Sequence, residues 1–356
     1  MKLRNLIDIE DLTLEEWTEL YSLCCQIIEH PLDFADALKG RVMASLFYEP
    51  STRTNFSFQT AMLRLGGSVF GFSDPGSTST AKGETMKDTI KMVSAYSDII
   101  VMRSPQEGAA RAASLYSEVP VINAGDGGHM HPTQTLTDLT TMHRLLGGID
   151  GLKVGLCGDL KNGRTVHSLV KALAKFKDVS FYLIAPEDLQ MPLYMLEFMR
   201  EHGIRFLQVT NLESTLPLLD VLYMTRIQRE RFTDPLEYDR LKGVYVLTKR
   251  KLQRAKPHML VMHPLPRVDE ITQDVDDDPR AVYFDQARFG MFARMALLMK
   301  LTEQGRLKPP AVEIGTQQLC RNRSCITQSE LYLPPRTRSV GGKPCCFYCD
   351  REIRHV

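Results

Sequence analysis

The sequence predicts an α/β protein, two doubly wound parallel-sheet lobes followed by a small cysteine-rich domain. Three observations carry this expectation. Short apolar runs suited to strands alternate with helical periods over most of the chain. A Gly147-Gly148 break after a long helix separates two sets of such units. Five of the eight cysteines crowd the last 37 residues. A length of 356 residues suits that division, at about 100–200 residues per domain. With 43% hydrophobic and 24% charged residues, the composition is that of a globular protein and excludes a disordered or collagenous chain. Forty-four Lys and Arg against 43 Asp and Glu leave a net charge of +1, so no global field favours nucleic acid or an anionic membrane, and any anion site must be local. No apolar run is long enough to span a bilayer and Met1 to Glu10 lack the apolar core of a leader, so a cytoplasmic protein with no nucleic-acid or membrane partner is expected.

Thr13 and Glu16 form a capping box, and Leu14, Trp17, Leu20, Tyr21, Cys24, Ile27 and Ile28 recur at helical spacing, so an amphipathic helix opens the chain. The pattern then predicts strands over 41–48, 68–72, 98–102 and 119–123, with helices over 55–65, 84–96 and 106–116 between them. Short apolar strands joined by helices imply a parallel sheet covered on both faces. A helix over 133–146 leads to the second set, with strands at 152–157, 179–185, 205–209, 221–224 and 259–262, and one further helix lies at 286–301. The domains are drawn at 1–132, completed by a helix over 286–305, and at 133–285; a linker at 306–315 precedes a tail domain at 316–356. In doubly wound sheets ligands sit beyond the carboxyl ends of the strands, which directs attention to the loops after Tyr48, Met102, Asn123, Cys157, Met224 and Met262.

Those loops are dense in polar groups. Glu49-Pro50-Ser51-Thr52-Arg53-Thr54 stands immediately before an apolar-periodic helix. Free backbone N–H groups, the helix dipole, hydroxyls and a guanidinium together fit a phosphate, whereas a bare Ser-Thr pair would be only a cap. Arg103 follows the third strand, and a glycine-rich loop leads from Gly125 to His131 after the fourth. Singly they read as a surface charge and a loop histidine; together with the first loop they gain weight, because a neutral imidazole at a helix N-terminus polarises a carbonyl. In the second lobe Arg164 and Arg226, both at strand ends, suit forked hydrogen bonds to carboxylates and hence an acidic substrate. Gly158 and Gly163 lack the spacing of a dinucleotide fingerprint. In the tail, four residues separate Cys320 from Cys325 and two separate Cys346 from Cys349. Two such pairs on turns can converge as four thiolates on a tetrahedral Zn²⁺, with Cys345 competing for the place of Cys346. So short a segment, poor in apolar residues, is expected to need that staple.

In order and spacing, Phe47-Tyr48-Glu49-Pro50-Ser51-Thr52-Arg53-Thr54, His131-Pro132-Thr133-Gln134 and His263-Pro264-Leu265-Pro266-Arg267 resemble the aspartate carbamoyltransferase catalytic chain, a likeness that runs over residues 3–307. The resemblance implies the fold shared by aspartate and ornithine carbamoyltransferases. It also implies the transfer of a carbamoyl group from carbamoyl phosphate to L-aspartate, an early step of de novo pyrimidine (UMP) synthesis, with no cofactor for catalysis. By the same resemblance Ser51, Thr52, Arg53 and Thr54 bind the phosphate with Arg103, while Thr54, Arg103 and His131 address the carbonyl oxygen and Gln134 the amide. Arg53, Thr54, Arg103 and His131 are then the catalytic group. Arg164, Arg226 and Gln228 resemble the aspartate clamp, the carbonyls of Pro264 and Leu265 orient the nitrogen groups, and Glu49 braces Arg164 and Arg231. Lys82, with Thr78 or Ser79, resembles a loop that reaches a neighbouring subunit's site and serves both substrates, which implies a homotrimer with shared sites.

The tail resembles the zinc domain of that enzyme's regulatory chain without its nucleotide-binding domain. Its four-cysteine Zn²⁺ is expected to be structural, to support assembly up to a dimer of trimers, and to act at a distance from the reaction. The nearest rival is ornithine carbamoyltransferase, which shares the carbamoyl phosphate loops. His263-Pro264-Leu265-Pro266 and Arg226 favour a dicarboxylate. A zinc-ribbon binding module on a degenerate transferase body is disfavoured by intact Arg53, Lys82, Arg103, His131 and Arg226.

Overall fold

The computed structural model of the chain describes residues 4–74, 76, 78, 82–227, 234–306, 308–310 and 319–353. Two compact units emerge, Met1–Thr133 with Met291–Val356, and Gln134–Gly290. Among the described residues no helix is long and apolar enough to cross a membrane.

The first unit opens with α1 (Leu14–Glu29), whose capping box forms as the sequence requires: Glu16 donates its N–H to Thr13 Oγ1, and Thr13 donates its own to Glu16 Oε2, both at 3.2 Å. Trp17, Leu20, Cys24 and Ile27 are its buried face. There follow β1 (Val42–Phe47), α2 (Thr52–Arg64), β2 (Ser68–Phe72), α3 (Met86–Tyr96), β3 (Ile99–Ser104), α4 (Ala109–Ser114) and β4 (Val121–Asp126). The strands are all parallel, in the order β2-β1-β3-β4. Successive connections run outward from β1 in one direction and from β3 in the other, so the switch point lies between those two strands. Leu6 closes the β4 side by pairing with Ile122, whereas β2 remains a largely exposed edge.

The second unit takes α5 (Pro132–Leu146) from Gln134 onward, then β5 (Lys153–Cys157), α6 (Arg164–Leu173), β6 (Ser180–Ile184), α7 (Leu193–Glu201) and β7 (Arg205–Val209). The single-turn α8 (Leu212–Thr215), β8 (Val221–Met224), α9 (Pro235–Leu241), the single-turn α10 (Lys249–Leu252) and β9 (Leu260–Met262) follow, and the first residues of α11 (Tyr283–Thr302) complete the unit. Its five strands are parallel in the order β7-β6-β5-β8-β9, which puts the switch point between β5 and β8. The buried patterns of β5 and β8 are those of central strands, whereas the largely exposed β7 is an edge of the sheet.

α4 and the tail depart from the sequence pattern for identifiable reasons. The helix expected over 106–116 shortens to α4, because Gln106 and Glu107 are engaged by the tail and Gly108 turns the chain at φ +83°. A Cβ there would stand 2.5 Å from the carbonyl oxygen of Tyr348, so no larger residue fits. The tail itself forms a hairpin of β10 (Thr337–Val340) and β11 (Lys343–Cys346) across Gly341-Gly342. It builds no core of its own. Cys325, Ile326, Leu333, Tyr348 and Ile353 are instead buried in the same cluster as Ile90 and Val93 of α3 and the alanines of α4. The first unit supplies the apolar surface that the tail lacks.

Candidate active site

In the first unit the candidate residues gather at the carboxyl ends of adjacent strands. α2 begins at Thr52, three residues before the helix that periodicity alone suggests, so Thr52, Arg53 and Thr54 occupy its first turn. Ser51 stands at the cap position, yet its side chain makes no capping hydrogen bond to the helix. Ser51 therefore does not cap this helix start, and the N–H groups of a helix's first turn suit an anion. Arg53 is exposed and Ser51 and Thr54 are half-buried. Arg103 lies beside Phe47 in the β1–β3 register. Its guanidinium forms an ion pair with Glu49 Oε1 at 2.8 Å and donates to the Ala124 carbonyl at 3.2 Å, and its buried Nε has no hydrogen-bond partner among the described residues. Burial draws Arg103 down from its ordinary value while Glu49 works to hold its charge. The sequence pattern did not reveal this pairing with Glu49.

His131 is 5% exposed and follows β4 by way of a loop organised by one carboxylate. Asp126 accepts from Gly108 N at 2.8 Å, Met130 N at 2.9 Å and Asn123 Nδ2 at 3.1 Å, and it stands 3.0 Å from His129 Nδ1. Burial alone would lower the His129 imidazolium; Asp126 and Asp350, one on each ring nitrogen, more than reverse this and hold it up to about 10. Thr78 is half-buried and Lys82 exposed on the connection before α3. Ser77, Ser79, Thr80 and Ala81 lie outside the described residues, as do Gln228 and Arg231.

The second unit presents a parallel construction. Gly158 leaves β5 at φ +118° with its α-carbon against Thr225, where a Cβ would stand 2.4 Å from the carbonyl oxygen, so the loops of the switch point close tightly. Thr225 Oγ1 accepts Asp159 N–H and donates to Cys157 O, both at 3.1 Å. This arrangement sets Arg164 in the first position of α6 and half-buried Arg226 directly after β8 and Thr225.

Gln134 and the Pro264-Leu265 loop are joined by a buried network absent from the sequence expectations. Asp138, one turn along α5, accepts from Gln134 Nε2 at 2.8 Å, Gln286 Nε2 at 2.7 Å and Tyr223 OH at 3.0 Å. Gln286 in turn accepts the His263 N–H at 3.0 Å. Leu265 N–H donates to His263 Nδ1 at 2.8 Å, which leaves Nε2 as the proton carrier facing Glu270 Oε1 at 2.7 Å. Leu265 sits at φ +53°, strained for a branched residue, and precedes a cis Pro266. The signal for Asp138 was its i, i+4 relation to Gln134 on a helix; Gln286 gave none.

In the tail, the sulfur atoms of Cys320, Cys325, Cys346 and Cys349 all lie within 4.8 Å of one another. The Cys320–Cys349 and Cys325–Cys346 separations are 3.6 and 3.9 Å. They are too long for disulfides and close to the roughly 3.8 Å edge of a tetrahedron with about 2.3 Å metal–sulfur bonds. Donation from Cys320 and Cys325 draws Cys346 and Cys349 below the usual thiol value. Cys345 is buried outside this group, and Cys346 is the neighbour whose sulfur joins it.

Comparison with known proteins fits this geometry. The family model for the aspartate/ornithine carbamoyltransferase carbamoyl-P binding domain matches residues 4–144, and that for the Asp/Orn binding domain matches 150–301. The chain is 57% identical over 298 residues to the aspartate carbamoyltransferase catalytic subunit of Clostridium novyi, covering 84% of this chain and 97% of that one. It is 54% identical over 302 residues to the Clostridium perfringens subunit, covering 85% and 98%. Among solved structures, the catalytic subunit of M. jannaschii aspartate transcarbamoylase superposes with a TM-score of 0.80 at 48% identity, over 85% of this chain and 98% of that one. The Trypanosoma cruzi enzyme in complex with carbamoyl phosphate and aspartate gives 0.80 at 40% identity, over 84% and 97%. With both of its units matched and the relatives spanned almost end to end, the chain belongs to the aspartate/ornithine carbamoyltransferase family, among the aspartate carbamoyltransferase catalytic subunits.

Proposed function

We infer that the chain transfers the carbamoyl group of carbamoyl phosphate to the amine of L-aspartate, giving N-carbamoyl-L-aspartate and phosphate in de novo pyrimidine synthesis. The observation that carries the reading is the uncapped start of α2, with Thr52, Arg53 and Thr54 in its first turn and Arg103 on the strand across the switch point. In this reading Ser51 to Thr54 and Arg103 hold the phosphate, Gln134 the amide, and Thr54, Arg103 and His131 meet the charge that grows on the carbonyl oxygen as the carbon becomes tetrahedral. Arg164, Arg226 and Gln228 clamp aspartate, the Pro264 and Leu265 carbonyls orient the nitrogens, and the departing phosphate is placed to take the amine's proton. Holding two anions in register supplies much of the rate. Domains at 1–132 with 286–305 for carbamoyl phosphate, and 133–285 for aspartate, follow from this assignment.

The tail, 316–356 after a 306–315 linker, is read as a counterpart of the regulatory-chain zinc module, holding one structural Zn²⁺ on Cys320, Cys325, Cys346 and Cys349. The 3.6–3.9 Å sulfur separations support it. A homotrimer in which Lys82 and Thr78 serve a neighbour's site is supported by the open β2 edge and by exposed Phe56, Leu63, Phe70, Met92 and Tyr96 on α2, β2 and α3. The test is a side-by-side assay of carbamoyl transfer to L-aspartate and L-ornithine, with zinc content and particle mass of the same preparation. Aspartate should be the acceptor; preference for ornithine would overturn the reading.

A further inference from the structure

Three connections tie the tail to segments that carry candidate substrate groups. Behind Arg103, Glu107 donates its N–H to Ser324 O at 2.8 Å and accepts the Ile326 N–H at 2.9 Å, while Asn322 Nδ2 donates to its carboxylate at 2.6 Å. Behind Lys82, the Glu330 carboxylate accepts Met86 N–H at 3.2 and 3.3 Å, and the Tyr332 hydroxyl accepts Lys87 N–H at 2.9 Å, in the first turn of α3. Behind His131, Asp350 Oδ2 lies 3.0 Å from His129 Nε2.

The third connection is the most directional. Asp350 immediately follows Cys349 and donates its N–H to Cys346 O at 3.0 Å, so the cysteine knuckle fixes its backbone. Arg338 grips its carboxylate at 2.6 and 2.7 Å, which fixes its orientation. From there the chain of contacts runs through His129 to Asp126 and on to the Met130 N–H, one residue before His131. The loop contains Gly125, Gly127 and Gly128, and glycines are costly to order, so these bonds share in holding it with the Gly127 N–H to Ser104 O and Gly125 N–H to Asn123 Oδ1 bonds, both at 2.8 Å.

We propose that the tail is a positioning element for carbamoyl transfer, with Asp350 a positioning residue that acts through His129 on the loop carrying His131. The proposal rests on the role given to His131 above, and it replaces the expectation that the tail works at a distance from the reaction. The knuckle transmits its own order, set by the metal its four thiols would hold, into the geometry of the carbonyl-polarising group.

The test uses the full-length chain carrying Asp350→Asn, Asp350→Glu or His129→Gln. Each is checked for bound zinc, then measured for amide exchange over residues 126–130, for inorganic phosphate affinity and for steady-state kinetics. Asp350→Asn with its zinc retained should show faster exchange in that segment and a loss of about tenfold or more in kcat/KM for carbamoyl phosphate. Asp350→Glu should recover part of both. If Asp350→Asn fails to fold or loses zinc, His129→Gln decides the same question from the loop side. Wild-type exchange together with wild-type kinetics in a zinc-loaded variant would overturn the proposal. A wild-type chain inactive toward aspartate would sink the function instead, and exchange at 126–130 with phosphate affinity would still decide the coupling.

Discussion

Arg53 is exposed in the first turn of a helix whose cap position makes no side-chain bond, so its removal should touch chemistry far more than stability. Arg53→Ala is expected to lower kcat about 10²–10³-fold, the scale of losing one transition-state donor, and to shift urea unfolding by less than about 0.5 kcal/mol. Steady-state kinetics beside a denaturation curve checks both halves. His129 offers a different handle, because the folded chain holds it protonated up to about 10 against an ordinary 6.5. A raised value means its contribution is complete below pH 6.5, declines between 6.5 and 10, and is gone above that window. The difference in unfolding free energy between wild type and His129→Gln should therefore shrink as pH climbs from 6.5 to 10; a constant gap would show that the ring is not held charged. The placement of Ser51 to Thr54 and His131 beyond strand ends was legible in the sequence, whereas Arg103, expected just after the third strand, lies within the last two residues of β3. Asp138 and Gln286 were not legible, since the network they build joins α5 to α11 across 148 residues of chain. No local pattern encodes such a meeting.

At the scale of elements, periodicity located every strand of the two parallel sheets to within a few residues, because buried central strands are continuous apolar runs. It misjudged α4 and the tail, for one shared reason: each is shaped by the other. The seeming poverty of the tail in apolar residues hid the fact that Ile326, Leu333 and Tyr348 are buried in a core shared with α3, α4, β1 and β3. If the four thiols hold the proposed Zn²⁺, Cys325→Ser should abolish its binding and release these side chains. Since burying one Leu, Ile or Phe contributes about 1.5–3 kcal/mol, the variant should lose several kcal/mol and expose the α3–α4 face. Metal analysis, a thermal scan and binding of an apolar dye read the three consequences; undiminished stability without metal would show that the tail folds unaided.

For the whole molecule, the shared-site reading makes a prediction that no single chain can satisfy. Lys82→Ala and Arg53→Ala chains, each nearly inactive alone, should regain part of the activity when dissociated and reassembled together, because some interfaces then join an intact loop to an intact pocket. Mixtures that stay inactive would show that each chain builds its own site. The division of the chain has a consequence for its birth on the ribosome. Gln134–Gly290 is one continuous stretch, whereas the other unit needs residues from both ends of the polypeptide. The apolar side of α3 and α4 must therefore wait for Ile326 and Tyr348, about 200 residues of translation, or roughly 10–40 s at common elongation rates. During that interval the middle of the chain can close while the earlier-made part stands incomplete. The apolar face of α3 and α4 is then exposed to wrong partners for longer than any surface of the middle unit, so the order of synthesis itself places the aggregation hazard in the amino-terminal part of the chain.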